Sequence, residues 1–238
     1  MLVDYDGTLT PIRDIPNLAR LDAGTRRMLR RLSRHPAIQL GIISGRALSE
    51  LRRMVGVPDT VYVGNHGFEL EGPGVRFLHP QARRAAPRLV RIASRLRRVL
   101  RRVPGAWVES KRLSLSVHWR AVPIKASKQF HRLVREALAP WSRDGRVRVT
   151  SGKRVIEIRP PAAWGKGAAV NWLMRAYRPP RGGVVYIGDD WTDEDAFRSV
   201  NRAHGISIFV GSPGILTAAR WRVRGPQQVR GLLHRLEG

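Results

Sequence analysis

The sequence predicts an α/β protein: a doubly wound, mostly parallel sheet interrupted by an inserted α+β unit. Three observations predict it. Short apolar runs alternate with amphipathic helical stretches near both ends of the chain, the pattern of βαβ units in a parallel sheet. In the middle, apolar and polar residues alternate strictly, which marks strands with one face on a core and the other exposed. A length of 238 residues with 42% hydrophobic content is enough to bury a core in each part.

The elements follow in order. Leu2-Val3-Asp4 is a short apolar run leading into the turn-forming string YDGTLTP. Residues 22–34 are basic and amphipathic, with Leu21, Met28, Leu29 and Leu32 on one side. The run at 38–44 reads as a buried parallel strand, ended by Gly45 and followed by a helix over about 47–54. Residues 60–67 read as another strand. After Pro179 and Pro180, 182–190 is a fourth, a helix follows near 193–200, and 205–211 is a fifth. The crossovers of such a sheet are right-handed. In the insert, 82–102 predicts a long basic helix and 125–138 another. Residues 114–120 alternate, with Leu115, Val117 and Trp119 on one face and His118 toward solvent. Residues 146–160 predict two strands around a Ser-Gly turn. The expected boundaries are a core at 1–80 and 161–238 and an insert at 81–160. Only three residues precede Asp4, whereas strands commonly have five or six, so the sequence leaves open that the chain is a piece of a longer protein.

Composition narrows the function. There is no cysteine, which excludes disulfides, thiolate metal sites and a cysteine nucleophile. No apolar run reaches the roughly 18 residues of a membrane span, and no signal peptide is visible; the expectation is a cytoplasmic protein without a membrane partner. The formal charge is +26, which raises the question of nucleic acid. Only five of the 44 basic residues are lysine, the arginines occur along most of the chain, and no nucleic-acid motif accompanies them. Nucleic acid is therefore not the expected partner, although an anionic substrate would be attracted. Seven of the 18 acidic residues lie in two short motifs, Asp4 with Asp6 and Asp189, Asp190, Asp193, Glu194 with Asp195. So basic a chain that concentrates its carboxylates is expected to hold a cation with them.

DYDGTLT places Asp4 at the C-terminal end of the first strand, where open α/β sheets carry their sites. An unpaired carboxylate there would be costly to bury, and Gly7 lets the chain turn away. Taken alone, Asp-Gly turns are common. GDDWTDEDAF follows another apolar strand. An acid-rich helix start accounts for Asp193 to Asp195 but not for the adjacent pair Asp189 and Asp190. Ser44 in IISGR ends the second strand, and its hydroxyl with nearby N–H groups could hold phosphoryl oxygens or cap a helix. Lys166 in WGKGAA precedes an apolar helix and is flanked by glycines; a lysine there would offset negative charge on Asp4, although taken alone it reads as an exposed lysine.

The string DxDGT and the order Asp4, Ser44, Lys166, Asp189 resemble the haloacid dehalogenase superfamily. The strings DYDGTLTPI, IISGR, GNHGFE, VESKRLSLSVHWR, SGKRVIEIRPPAAWGKG and YIGDDWTDEDAF resemble trehalose-6-phosphate phosphatases over nearly the whole length. That resemblance implies a haloacid dehalogenase-type core with a cap domain. It implies Asp4 as nucleophile, Asp6 as general acid and base, and Ser44 and Lys166 as phosphoryl-binding groups. It implies Mg²⁺ on Asp4, Asp189 and the Asp6 carbonyl, with Asp190 and Asp193 orienting ligands or waters. Glu109, Lys111 and Glu157 would grip sugar hydroxyls, and Arg46, Asn65 and His66 would line the cleft. The implied partners are a sugar phosphate and a trehalose-6-phosphate synthase. The competing expectations are a phosphatase for sucrose 6-phosphate or mannosyl-3-phosphoglycerate, and a non-catalytic basic binding protein.

Overall fold

The computed structural model of the chain describes residues 1–13, 18–152 and 154–236. It divides into two compact units. One runs from Met1 to Phe77 and resumes at Trp164; the other is Leu78–Ala163.

The first stretch of the larger unit contains β1 (Leu2–Asp4), α1 (Ala23–Arg34), β2 (Gly41–Ile43), α2 (Leu48–Val55), β3 (Val61–Gly64), β4 (Glu69–Gly72) and β5 (Val75–Leu78). The smaller unit follows with α3 (Pro80–Leu100), β6 (Trp107–Ser110), β7 (Leu115–His118), α4 (Ile124–Ser142), β8 (Arg148–Gly152) and β9 (Val155–Arg159). The larger unit then closes with α5 (Lys166–Tyr177), β10 (Val185–Gly188), α6 (Glu194–Arg202), β11 (Ile206–Val210), β12 (Trp221–Val223) and α7 (Pro226–His234). Lys153, in the expected Ser-Gly turn, lies outside the described residues. Among the described residues no helix is long and apolar enough to cross a membrane.

The larger sheet has the order β12-β11-β10-β1-β2-β3-β4-β5. Its pairings from β12 to β3 are parallel, and β4 returns antiparallel to β3. Alternation within each strand distributes side chains to two apolar layers. Val3 and Ile42 pack with Leu29, Leu32, Leu51 and Leu233 on one face. Leu2 and Ile43 pack with Val170, Phe197 and Val200 on the other. Helices on both faces explain why these strands read as continuous apolar runs. β1 sits in the middle, with β2 on one side and β10 on the other. The strand order reverses there, so the C-terminal ends of β1 and β10 open onto the switch point where open sheets bind ligands.

Local chemistry sets the element ends. The Asp22 carboxylate accepts from the Thr25 N–H at 2.8 Å and caps α1. Gly56 stops α2 in the left-handed region, at φ +61°. In the smaller unit the sheet is antiparallel, β6-β7-β9-β8. Val108, Leu115, Val117, Ile156 and Ile158 from the strands enclose one core with Leu89, Ile92 and Leu96 of α3 and Phe130 and Val134 of α4. The opposite face carries Glu109, Ser116 and Glu157, which pair in register across three strands.

Candidate active site

Asp4 ends β1 and is 4% exposed. Its charge is met by Lys166, the first residue of α5, whose Nζ donates to Asp4 Oδ1 at 2.6 Å and to Asp193 Oδ1 at 2.7 Å. Asp193 is fully buried, and both of its oxygens are engaged. Oδ1 also accepts from the Tyr186 hydroxyl at 2.6 Å, and Oδ2 accepts the backbone N–H groups of Asp189 and Asp190 at 3.2 and 3.0 Å. Asp193 therefore shapes the turn after β10 and anchors the lysine. Asp190 reciprocates as a cap of the short 3-10 turn Trp191–Asp193. Asp189 Oδ1 accepts from the Thr8 hydroxyl at 3.2 Å. A Cβ at Gly7, where φ is +89°, would collide with the Asp189 carboxylate, so the glycine of the first motif is required by the acid of the last.

Ligand atoms of Asp4, Asp189 and Asp193 lie within 4.8 Å of one another. Burial pushes the Asp4 carboxyl well above its ordinary range; Lys166 opposes this, and Asp193 and Asp189 add to it. Burial, then the neighbouring Asp193, raises Asp189 to about 7. Lys166 is pushed up despite its burial, because two carboxylates flank it. Three convergent carboxylates around one lysine form a cluster of hard oxygen donors.

A second cluster stands on the same loop. Arg46 grips Asp6 with two parallel hydrogen bonds, Nη2 to Oδ1 at 2.7 Å and Nε to Oδ2 at 2.8 Å. Its Nη1 reaches Glu50 at 2.7 Å. The Ser44 hydroxyl donates to Asp6 Oδ2 at 3.4 Å and accepts the Arg46 N–H at 3.1 Å. Asn65 and His66 follow β3 in a tight turn with φ of +49° and +56°. The Asn65 amide donates to Glu69 Oε1 at 2.6 Å, and the same oxygen accepts the Leu48 N–H at 2.9 Å. The structure thus gives Asn65 a role in shaping this loop. The His66 ring fills the space that a Cβ at Gly45 would occupy.

Glu109, Lys111 and Glu157 stand together in the smaller unit. Lys111 Nζ is 3.5 Å from Glu157 and 4.0 Å from Glu109. The Ser116 hydroxyl donates to Glu157 at 2.6 Å, and His118 Nε2 bonds Glu109 at 2.8 Å. His118 has a carboxylate partner as well as a stacked Trp107 ring at 4.0 Å, where its position in an alternating strand had pointed to solvent alone.

Sequence reasoning missed Tyr186, Glu50 and Glu69. Tyr186 looks like one more apolar residue of a buried strand. Its hydroxyl, which needs a partner when buried, was the available signal.

The family model described as trehalose-phosphatase matches residues 2–225. Trehalose-phosphate phosphatase B of Arabidopsis thaliana is 34% identical over 249 residues, covering 99% of this chain and 65% of that protein. The trehalose-phosphate phosphatase of Mycobacterium avium is 39% identical over 213 residues, covering 87% of this chain and 53% of its own length. The chain thus spans just over half to about two thirds of these relatives. The crystal structure of a trehalose-6-phosphate phosphatase related protein superposes with a TM-score of 0.85 at 26% identity, over 100% of this chain and 97% of that one. The match takes in both units and every loop that carries the buried carboxylates, and the chain belongs to the trehalose-phosphatase family.

Proposed function

We propose that the chain is a Mg²⁺-dependent phosphatase that hydrolyses trehalose 6-phosphate to trehalose and inorganic phosphate. The observation that carries the reading is the Asp4–Lys166–Asp193 arrangement at the switch point of a family member, with Asp189 beside it. Asp4 attacks phosphorus and forms an aspartyl-phosphate. Lys166 is held where it offsets charge on Asp4 and on the transferring phosphoryl group.

The residues fit a divalent cation. Asp193 has both oxygens committed, whereas Asp4 Oδ2 and Asp189 Oδ2 carry no hydrogen bond among the described residues. Asp4 and Asp189 are therefore the side chains that would hold Mg²⁺, a hard ion that favours carboxylate oxygen. When bound, it would supply charge neutralisation for the phosphoryl oxygens.

Asp6 is assigned the proton work: it gives a proton to the leaving sugar oxygen and takes one from the attacking water. Arg46 occupies both Asp6 oxygens, so a phosphoryl dianion must draw the guanidinium away before Asp6 can reach the leaving oxygen or the attacking water. Ser44 holds the loop that carries Arg46. Sugar recognition is assigned to Glu109, Lys111 and Glu157, whose carboxylates and ammonium suit vicinal hydroxyls. Leu78–Ala163 is then the substrate-selecting cap. Arg46 and His66 are assigned to the substrate-facing side of the core.

A phosphate-release assay over a panel of sugar phosphates tests the reading. Trehalose 6-phosphate should be turned over at least about tenfold faster than sucrose 6-phosphate or mannosyl-3-phosphoglycerate, a gap of about 1.4 kcal/mol. Chelation should silence the enzyme and Mg²⁺ should restore it. Equal rates across the panel would remove the trehalose assignment. Full activity in a preparation shown by elemental analysis to be metal-free would remove the metal.

A further inference from the structure

The formal charge of +26 is not shared evenly by the two units. Leu78–Ala163 holds 22 of the 44 basic residues but only four of the 18 acids, a net +18 in 86 residues; the rest of the chain carries +8. Arginine-rich composition alone would raise the bases everywhere. It does not explain why 22 of them fall in these 86 residues and only 22 in the other 152.

Within that unit the charge has a geometry. Arg84, Arg88, Arg91, Arg95, Arg98 and Arg102 follow one another at steps of four, three, four, three and four residues along α3 and the turn after it. At 3.6 residues per turn these steps keep them on one line, about 27 Å long at 1.5 Å per residue. Five of the six are exposed and Arg88 is half-buried. α3 contains no acidic residue, and none of the six is in an ion pair among the described residues. α4, which shares the α3 core, adds Lys125, Lys128, Arg132 and Arg135 at steps of three, four and three, all exposed, with Glu136 its one acid.

We infer that this helical face binds the phosphate backbone of a nucleic-acid duplex without sequence preference. A continuous line of guanidinium groups complements a regular line of phosphates. A helix that lies on an anionic bilayer presents an apolar strip beside its cations; the apolar side of α3, with Leu89, Ile92, Leu96 and Leu100, is inside the core. Proteins that bind single strands stack bases on exposed aromatic rings, and neither helix presents an open Phe, Tyr or Trp ring: Phe130 is buried and Trp141 packs on the core under Arg95. Phosphate contact alone supplies non-specific affinity with a steep dependence on salt. The inference is independent of the phosphatase reading.

The test is fluorescence anisotropy of a fluorescein-labelled 24-base-pair duplex with the full chain, titrated from low to physiological salt. One variant changes Arg84, Arg91, Arg98 and Arg102 to glutamine, leaving Arg88 and Arg95, which touch Arg146 and Trp141. A control removes the same charge from the core unit at Arg27, Arg34, Arg53 and Arg235, all exposed. The wild type should bind, and the α3 variant should lose at least about tenfold in affinity and about three to four from the slope of log K against log salt. The control should stay within about threefold. The four-lysine version of the α3 variant should keep the affinity, which separates lost charge from lost fold. Absence of binding, equal losses in the two glutamine variants, or retention on phosphatidylserine vesicles but not on the duplex would each overturn the inference.

Discussion

Each unit sets a lysine between two carboxylates, and the two arrangements are built differently. Lys166 lies 2.6 and 2.7 Å from Asp4 and Asp193, and the three side chains are at most 5% exposed. Lys111 lies 3.5 and 4.0 Å from Glu157 and Glu109, with exposures from 9% to 19%. In the core, charge meets charge at hydrogen-bond distance and Tyr186 and backbone N–H groups complete the set. In the insert, each carboxylate is held by its own neighbour, Ser116 or His118, and only loosely by the lysine. The first arrangement is preorganised, as a centre for developing charge must be. The second leaves donors and acceptors close enough to share incoming hydroxyls, as the proposed sugar-binding role requires.

The largest effect expected from breaking the core arrangement is on chemistry. Asp4→Asn keeps the shape of the side chain and removes the proposed nucleophile. Turnover should fall by roughly a thousandfold or more, while the fold and sugar-phosphate binding persist. Steady-state rates with a calorimetric binding measurement check both halves. A variant within about tenfold of wild type would exclude Asp4 as nucleophile.

The comparison itself is tested by exchanging each lysine for methionine. Lys166→Met leaves Asp4 and Asp193 buried without their cation, which costs about 3–5 kcal/mol, and it silences the enzyme. Lys111→Met removes longer contacts from carboxylates that Ser116 and His118 also hold, so it should cost less, about 1–3 kcal/mol. Its kcat/KM for trehalose 6-phosphate should fall about tenfold to a hundredfold, the worth of one or two charged hydrogen bonds. Hydrolysis of p-nitrophenyl phosphate, which has no sugar, should change little. Urea unfolding and the two substrate assays read these outcomes. If Lys111→Met unfolds as readily as Lys166→Met, or loses both substrates in parallel, the two lysines do the same job and the contrast is wrong.

These contrasts also mark what the sequence makes legible. The parallel strands read out as apolar runs because both faces are covered, and Asp4 and Asp189 stood out because carboxylates at strand ends need a reason. β4, β5, β6 and β12 were not anticipated. They are three or four residues long, too short for a period to register, and β4 and β5 extend the edge beyond β3. The convergence of Asp4, Lys166 and Asp193 spans 189 positions; motif order signals it, whereas spacing carries no trace of it. Asp193, expected beside the metal residues as a group that orients ligands or waters, lies within reach of Asp4 and Asp189. Asp193 gives one oxygen to Lys166 and Tyr186 and the other to two backbone N–H groups, a division that depends on the turn after β10. The arginines occur along most of the chain, and their greater density in one unit registers only once the unit boundaries are known.

The smallest effect belongs to Glu109, and it sharpens the recognition side of the comparison. Burial favours the protonated form of this carboxyl, but the His118 hydrogen bond and the Lys111 charge outweigh it, and its pKa lies below the ordinary value. A depressed carboxylate pKa contributes stability that is fully present above the unfolded value, about 4.3, and is lost as pH falls through the folded value. Removing His118 takes away the largest of the lowering influences. In His118→Ala the Glu109 pKa should therefore move up, and the loss of stability on acidification should begin at higher pH. The acid-unfolding midpoint should rise by about half a pH unit, with a difference under about 1 kcal/mol at neutral pH. Circular dichroism against pH measures it. In a Glu109→Gln background the same His118→Ala change should leave the midpoint where it was, because no carboxylate remains to be shifted. Trp107, stacked on His118, would lose its ring partner in both backgrounds. A midpoint that moves equally in both would therefore assign the effect to lost stacking and remove His118 as the group that holds Glu109 ionised.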